Sequence, residues 1–251
     1  MLREERQGAV VVLSLDYPAR RNALAMPMRQ ALSDTMDRLE GDAAVRVIVL
    51  TGTGGNFSAG GDISGMNVTD IAGSRERFRL THRLVRLMIE SAKPILCAVE
   101  GWAVGAGLAL ALCCDTVIAA EDARFMAGFG KVGLVPDFGL LHTLPRRIGE
   151  GRARQMFLHP EPVGAVRAEA IGMIDRVVSS GTALEAALAL AGPLAAAAPL
   201  PIAMTKSYLA QGLGDALEWE RNVQSMLFLS ADHAEGKAAF LGKRPPVFGG
   251  M

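Results

Sequence analysis

Apolar and polar positions fall into two regimes along the chain, short β-rich runs first and long alanine- and leucine-rich runs later. Residues 9–15 (AVVVLSL) form an apolar run closed by Asp16-Tyr17-Pro18, which predicts a strand and a turn. Pro27 suits a first helical turn, and Met28, Leu32, Met36 and Leu39 recur at helical spacing, so a helix is predicted to about residue 39. Residues 45–52 (VRVIVLTG) predict a second strand, which runs into TGTGGNFSAGGDI, a loop with five glycines and no regular period. A helix is predicted over 75–91, with Phe78, Leu84, Val85 and Met88 on one side and basic residues on the other, stopped by Lys93-Pro94. Residues 95–99 predict a buried strand, followed by the turn VGAG, an apolar helix ending at Asp115 and a further strand over 116–119. Past Leu144 the pattern is helical only, with separate helices predicted over 149–158, 182–198, 201–210, 215–230 and 232–242. Short βα alternation followed by helices alone predicts an α/β core with a C-terminal helical region.

Composition narrows the function classes. The chain has 251 residues, 50% hydrophobic and 21% charged, which fits one large domain or a domain with a helical tail. Lys+Arg and Asp+Glu both count 26, so nothing in the charge balance points to a nucleic-acid partner. The three cysteines (Cys97, Cys113, Cys114) lie in apolar runs and do not form a disulfide framework; a reduced, cytoplasmic setting is expected. The start MLREERQG lacks an apolar signal core, and the apolar run from Gly101 to Cys114 is shorter than the roughly 20 residues of a membrane span. The four histidines (His82, His142, His159, His233) have no metal-ligand spacing, so no metal is expected.

Candidate chemistry lies in residues 93–144. A Gly-Ala turn opening onto a helix leaves its first N–H groups without intrahelical partners, and these suit an anion or a developing oxyanion. Downstream, Asp137 stands between an apolar GLVP and Phe138-Gly139. Together, an N–H trap and a carboxylate in apolar company are the parts needed for enolate chemistry. Other motifs fail: in the loop after the second strand the third glycine of a dinucleotide fingerprint falls at Phe57, and NFSAG has Asn56 where a nucleophile elbow needs glycine.

The ordered set RRNAL, VRVIVLTGTGGNFSAGGDI, KPILCAVEGWAVGAG, CCDTVIAAEDARF, KVGLVPDFG and EGKAAFLGKRPPVFGG resembles the crotonase, or enoyl-CoA hydratase/isomerase, superfamily over nearly the whole chain. The resemblance implies a spiral of ββα turns over residues 1–195, a C-terminal helical trimerisation region over 196–251, and a homotrimer or a hexamer built as a dimer of trimers. It implies an acyl-CoA thioester as substrate, with coenzyme A present only as part of that substrate and no separate cofactor. Carried over by position, the oxyanion donors are the N–H groups of Ala59 and Ala106. Ala23, Leu24, Gly61, Asp62 and Ile63 match positions lining the CoA adenine and pantetheine, and Lys243 is a candidate phosphate contact. Phe129, Val132, Leu134 and Phe138 would form apolar walls around Asp137 and raise its pKa.

Departures from the family pattern select the reaction. The two glutamates of the hydratases would fall at Ala109 and Phe129, and neither side chain moves a proton. The position of Asp137 resembles that of the acid in the double-bond isomerases, and GLVPD followed by an aromatic or small residue and Gly is especially like the phenylacetate-pathway ring isomerases. An isomerase with Asp137 as the proton shuttle is therefore expected. Three other readings stay open. One is a haloaromatic acyl-CoA dehalogenase with Asp137 as nucleophile and His82 assisting; the others are a hydratase with atypical acid/base groups and a non-catalytic binding protein of the same fold.

Overall fold

In the computed structural model, which describes residues 1–250, the chain begins with β1 (Leu2–Gln7), β2 (Val10–Leu15), α1 (Met26–Gly41), β3 (Val47–Gly52), α2 (Ile71–Ile89) and β4 (Ile95–Val99). Two ββα turns follow, as β4 leads into β5 (Trp102–Val104) and α3 (Ala106–Leu112), and β6 (Thr116–Ala120) into β7 (Arg124–Met126) and α4 (Leu140–Ile148). Then come α5 (Glu150–Leu158), β8 (Val163–Gly164), α6 (Ala165–Ala170) and β9 (Arg176–Val178), and last α7 (Ala183–Ala196), α8 (Pro199–Leu209), α9 (Leu213–Leu227) and α10 (Ala231–Leu241).

The strands form two sheets. One has the order β1-β2-β3-β4-β6-β9, parallel except for the antiparallel β1; the other has the order β5-β7-β8. The inner strands are buried on both faces, so they read as continuous apolar runs and not as an alternation. Their alternate residues nevertheless serve two cores. Val10, Val12, Val47, Val49, Leu96, Ala98 and Ile118 pack with Ala183, Ala187 and Ala191 of α7, whose spacing of four puts three alanines on one helix face. Val11, Leu13, Ile48, Leu50, Cys97, Val99 and Val117 point the other way into the larger core.

Past Leu144 the chain is not helical only: β8 pairs with β7, and β9 pairs with β6 from Ile118↔Arg176 to Ala120↔Val178. Strands of two and three residues are too short for a period to be read. β1 also escapes the pattern, since LREERQ is a charged and largely exposed edge strand, the composition that keeps an open edge from pairing further. The predicted strand at residues 95–99 coincides with β4. Helices α9 and α10 fold back, α9 onto α2 and α10 onto the 3-10 segment Gly128–Val132, and this brings the C-terminal region to the site.

Candidate active site

The loop after β3 of the larger sheet meets the junction between β5 of the smaller sheet and α3. The loop carries Ser58, Ala59, Gly60 and Gly61, and the junction carries Val104, Gly105 and Ala106. A Cβ on Gly60 (φ +96°) would stand 2.5 Å from the Val104 carbonyl oxygen, and one on Gly107 2.6 Å from the Ser58 carbonyl oxygen. Glycine at both positions is what lets the two backbones touch. Buried Asn22 of the RRNAL segment ties the region together: its amide donates to the Thr53 and Asn56 carbonyls, and its side-chain oxygen accepts from the Tyr17 N–H.

The oxyanion assignment needs one correction. The Ala59 N–H donates to the Arg21 carbonyl at 2.8 Å, so it is spent within the fold. Two residues on, the Gly61 N–H has no acceptor within hydrogen-bonding distance among the described residues, and neither has the Ala106 N–H at the start of α3. Both residues line one cavity of about 400 Å³. From residue types and spacing alone, the free N–H of this loop could not be told from the committed one.

Asp137 lines the same cavity and is only 5% exposed. Its Oδ1 has no hydrogen-bond partner, and its Oδ2 lies 3.4 Å from Gln224 Nε2. Burial raises its pKa from 3.8 to about 6, with the charge of Glu220 adding to the rise and Arg29, Arg77 and His82 opposing it. A carboxyl group titrating near 6 is suited to both taking and returning a proton near neutrality.

The turn holding Asp137 is fixed from α9. Phe138 (φ +61°) and Gly139 (φ +73°) are successive left-handed residues, a conformation that costs a bulky side chain free energy unless its surroundings enforce it. Here their two N–H groups converge on Glu220, each at 2.9 Å, while Gln224 exchanges hydrogen bonds with Val135. Glu220 also meets His82 Nε2 at 2.7 Å. Neither Glu220 nor Gln224 was singled out from the sequence. The available signal was the buried stripe Leu213–Leu217 of α9, which continues through Glu220 and Gln224 at helical spacing.

Of the remaining predicted residues, Ala23, Asp62, Ile63, Phe129 and Val132 line the cavity with Asp137. Leu24 and Phe138 do not line it; both are wholly buried, Leu24 with its N–H on the Gly60 carbonyl and Phe138 with its ring 5.0 Å from the Arg29 guanidinium carbon. Lys243 lies outside it, exposed beyond the end of α10, whereas Arg20, Arg21 and Lys131 are exposed cations that do border the cavity. Ala109 is buried inside α3 and, like Phe129, offers no ionisable group. His82 is a packed histidine that lines a separate cleft between α2 and α9. Among the described residues no cluster of three or more His, Cys, Asp or Glu could hold a metal ion.

A pair of free N–H groups, one from a loop and one from a helix start, on the same cavity as a buried acid suits carbonyl enolisation. The chain belongs to the enoyl-CoA hydratase/isomerase family, whose signature it matches over residues 5–251. It is 38% identical to the 1,2-epoxyphenylacetyl-CoA isomerase of Escherichia coli K12, over 97% of this chain and 96% of that protein. It is 36% identical to the 2,3-dehydroadipyl-CoA hydratase of the same bacterium, over 98% and 97% of the two chains. An enoyl-CoA hydratase structure from Mycobacterium avium subsp. paratuberculosis superposes with a TM-score of 0.90 at 31% identity, covering 99% of this chain and 98% of that one. The crotonase-type α/β fold expected from the sequence is thereby established.

Proposed function

We propose that the protein is an acyl-CoA double-bond isomerase in which Asp137 is the only proton-transfer group. The observation carrying this reading is the buried Asp137 carboxyl, with one oxygen unpaired, on the cavity that also receives the unpaired Gly61 and Ala106 N–H groups. In the proposed reaction a C–H bond between the thioester and the double bond breaks and its proton passes to the Asp137 carboxylate. The electron pair delocalises onto the thioester oxygen, held by the two N–H donors, each worth roughly 3 kcal/mol. A C–H bond then forms at the far carbon as Asp137 returns the proton, the double bond shifts, and the carboxylate is restored.

The isomerase name of one relative supports this reading, and the hydratase names of others define its main competitor. Phe129 and Ala109 supply no second acid/base for adding water, and Asp62, the other carboxylate on the cavity, accepts from the N–H and hydroxyl of Ser64. Dehalogenation assisted by His82 gains no support, because that ring is turned onto Glu220. Arg20, Arg21 and Lys131 suit the phosphates of coenzyme A at the cavity mouth. Leu200, Met204 and Tyr208, each about two-thirds exposed or more at a spacing of four on α8, support a homotrimer or a hexamer of two trimers.

The test is a panel of 2-enoyl, 3-enoyl and 3,5-dienoyl thioesters with wild type beside Asp137→Asn. Migration in the wild type, reduced about 10²- to 10⁴-fold in the variant and without hydration of the 2-enoyl thioester, is the expected result. Full migration by the variant, or robust hydration by both forms, contradicts it.

A further inference from the structure

Arg29 is the least expected residue around the cavity. It sits in the first turns of α1, is 2% exposed, and still borders the cavity wall. Its Nε donates to the Leu24 carbonyl at 2.9 Å and its Nη1 to the Thr81 hydroxyl at 2.7 Å, so both partners are neutral. Among the described residues it forms no ion pair with a carboxylate, and Nη2 has no acceptor within hydrogen-bonding distance. Nη2 stands 3.7 Å from the place a Cβ on Gly61 would take, beside the loop whose N–H is free.

A buried guanidinium with an unused donor edge is costly unless something meets it. Stacking on Phe138 satisfies one face of the group and none of its donors. Asp137 does not close on it either: Asp137 Oδ1 is unpaired although both residues border one cavity. The two groups form no hydrogen bond or ion pair with each other, and the cavity of about 400 Å³ that both border is ligand-sized. Arg77 places a second cation behind the same wall, with a buried Nε that has no acceptor. Facing these cations are Asp137, Glu220 and, at the cavity edge, Asp62. Burial and the charge of Arg77 lower the Arg29 pKa only to about 9, so the group is cationic at neutral pH.

Resting on the acyl-CoA reading of the cavity, we propose that Arg29 selects thioesters whose acyl group carries its own carboxylate, which the free Nη2 edge receives. Arginine is the residue whose planar fork suits a carboxylate, and a site built to hydrogen-bond an oxygen discriminates strongly against the analogue lacking it. Arg29 is then a specificity-determining residue and does not move the proton.

Saturated probes test this without turnover. Calorimetric titration of the full chain compares adipoyl-CoA with hexanoyl-CoA, equal in carbon number and differing in the terminal carboxylate. Wild type is expected to bind adipoyl-CoA at least about tenfold more tightly. Arg29→Met should bring the ratio near one with hexanoyl-CoA affinity retained, and Arg29→Lys should keep an intermediate ratio. Equal affinities in the wild type, or a ratio unchanged in Arg29→Met, overturn the proposal while leaving the acyl-CoA reading intact. If Arg29→Met does not fold, the wild-type and Arg29→Lys ratios decide, and an unchanged ratio in Arg29→Lys overturns the assignment to this residue. If neither thioester binds, the acyl-CoA reading fails and this proposal falls with it.

Discussion

The turn that carries Asp137 and the stretch of α9 that carries Glu220 meet in one buried contact, yet they leave their carboxylates in opposite states. Glu220 is 1% exposed and receives two backbone N–H groups at 2.9 Å and an imidazole nitrogen at 2.7 Å. Asp137, 5% exposed, has one oxygen with no partner and the other 3.4 Å from an amide. Burial is nearly the same in both, so burial alone does not make a reactive group. What separates the structural anion from the candidate acid/base is how many donors the fold commits to each. The N–H groups of the facing loops divide in the same way, Ala59 spent on Arg21 and both Gly61 and Ala106 left free.

The largest effect that would sharpen this contrast comes from the N–H groups. Ala106 is the first residue of α3, where proline is tolerated because that N–H has no intrahelical acceptor. Ala106→Pro should therefore lower kcat about 10²- to 10³-fold with little change in melting temperature. Ala59→Pro, which removes the bond to Arg21, should chiefly lower stability. Comparable kcat losses with intact stability in both variants would break the division into spent and free donors.

Next in size is Glu220. Glu220→Ala leaves two buried N–H groups and His82 without their acceptor and should destabilise the fold by about 2–4 kcal/mol, read by urea unfolding. Glu220→Gln keeps an acceptor but removes a charge that raises the Asp137 pKa. The acid limb of its pH–rate profile should move below that of the wild type, whose midpoint is expected near the Asp137 value of about 6. An unmoved limb would show that Glu220 does not act on Asp137 through its charge.

The smallest effect is on stability against pH. Because the Asp137 pKa is raised in the fold, from 3.8 to about 6, the native state holds the proton more tightly than the unfolded chain does. Its stabilising contribution is complete below about pH 3.8 and is lost as the pH rises through 6. Asp137→Asn should accordingly be more stable than wild type at pH 8, by on the order of 3 kcal/mol at about 1.4 kcal/mol per pKa unit, and show no gain near pH 3.5. A gain independent of pH would mean that the asparagine packs better, not that it removes a buried charge.

Much of this arrangement was legible in the sequence because it rests on local pattern. Ile95–Val99, the apolar run of α3 and the Met28, Leu32, Met36 and Leu39 face of α1 are continuous or periodic, and burial follows from that. Asp137 stood out as an acid inside an apolar sequence. Residues placed by long-range contact were not legible. Glu220 sits between the charged Glu218 and Arg221 and Arg29 is a lone charge in the first turns of α1, both ordinary for a solvated helix face, and only the meeting of α1, α2 and α9 turns them inward. Leu24 and Phe138 follow the motif but are wholly buried away from the cavity, Phe138 beneath Arg29, which no spacing rule encodes.

The central claim, that Asp137 carries a single proton from one carbon to the other, is tested most directly by isotope transfer. A 3-enoyl thioester deuterated at C2 would be converted by the wild type in single turnover, and the product analysed for deuterium at C4. The account predicts measurable transfer of the label to C4, together with loss of migration in Asp137→Asn. Migration at the wild-type rate in Asp137→Asn, with the label exchanged entirely into solvent in both forms, would contradict it.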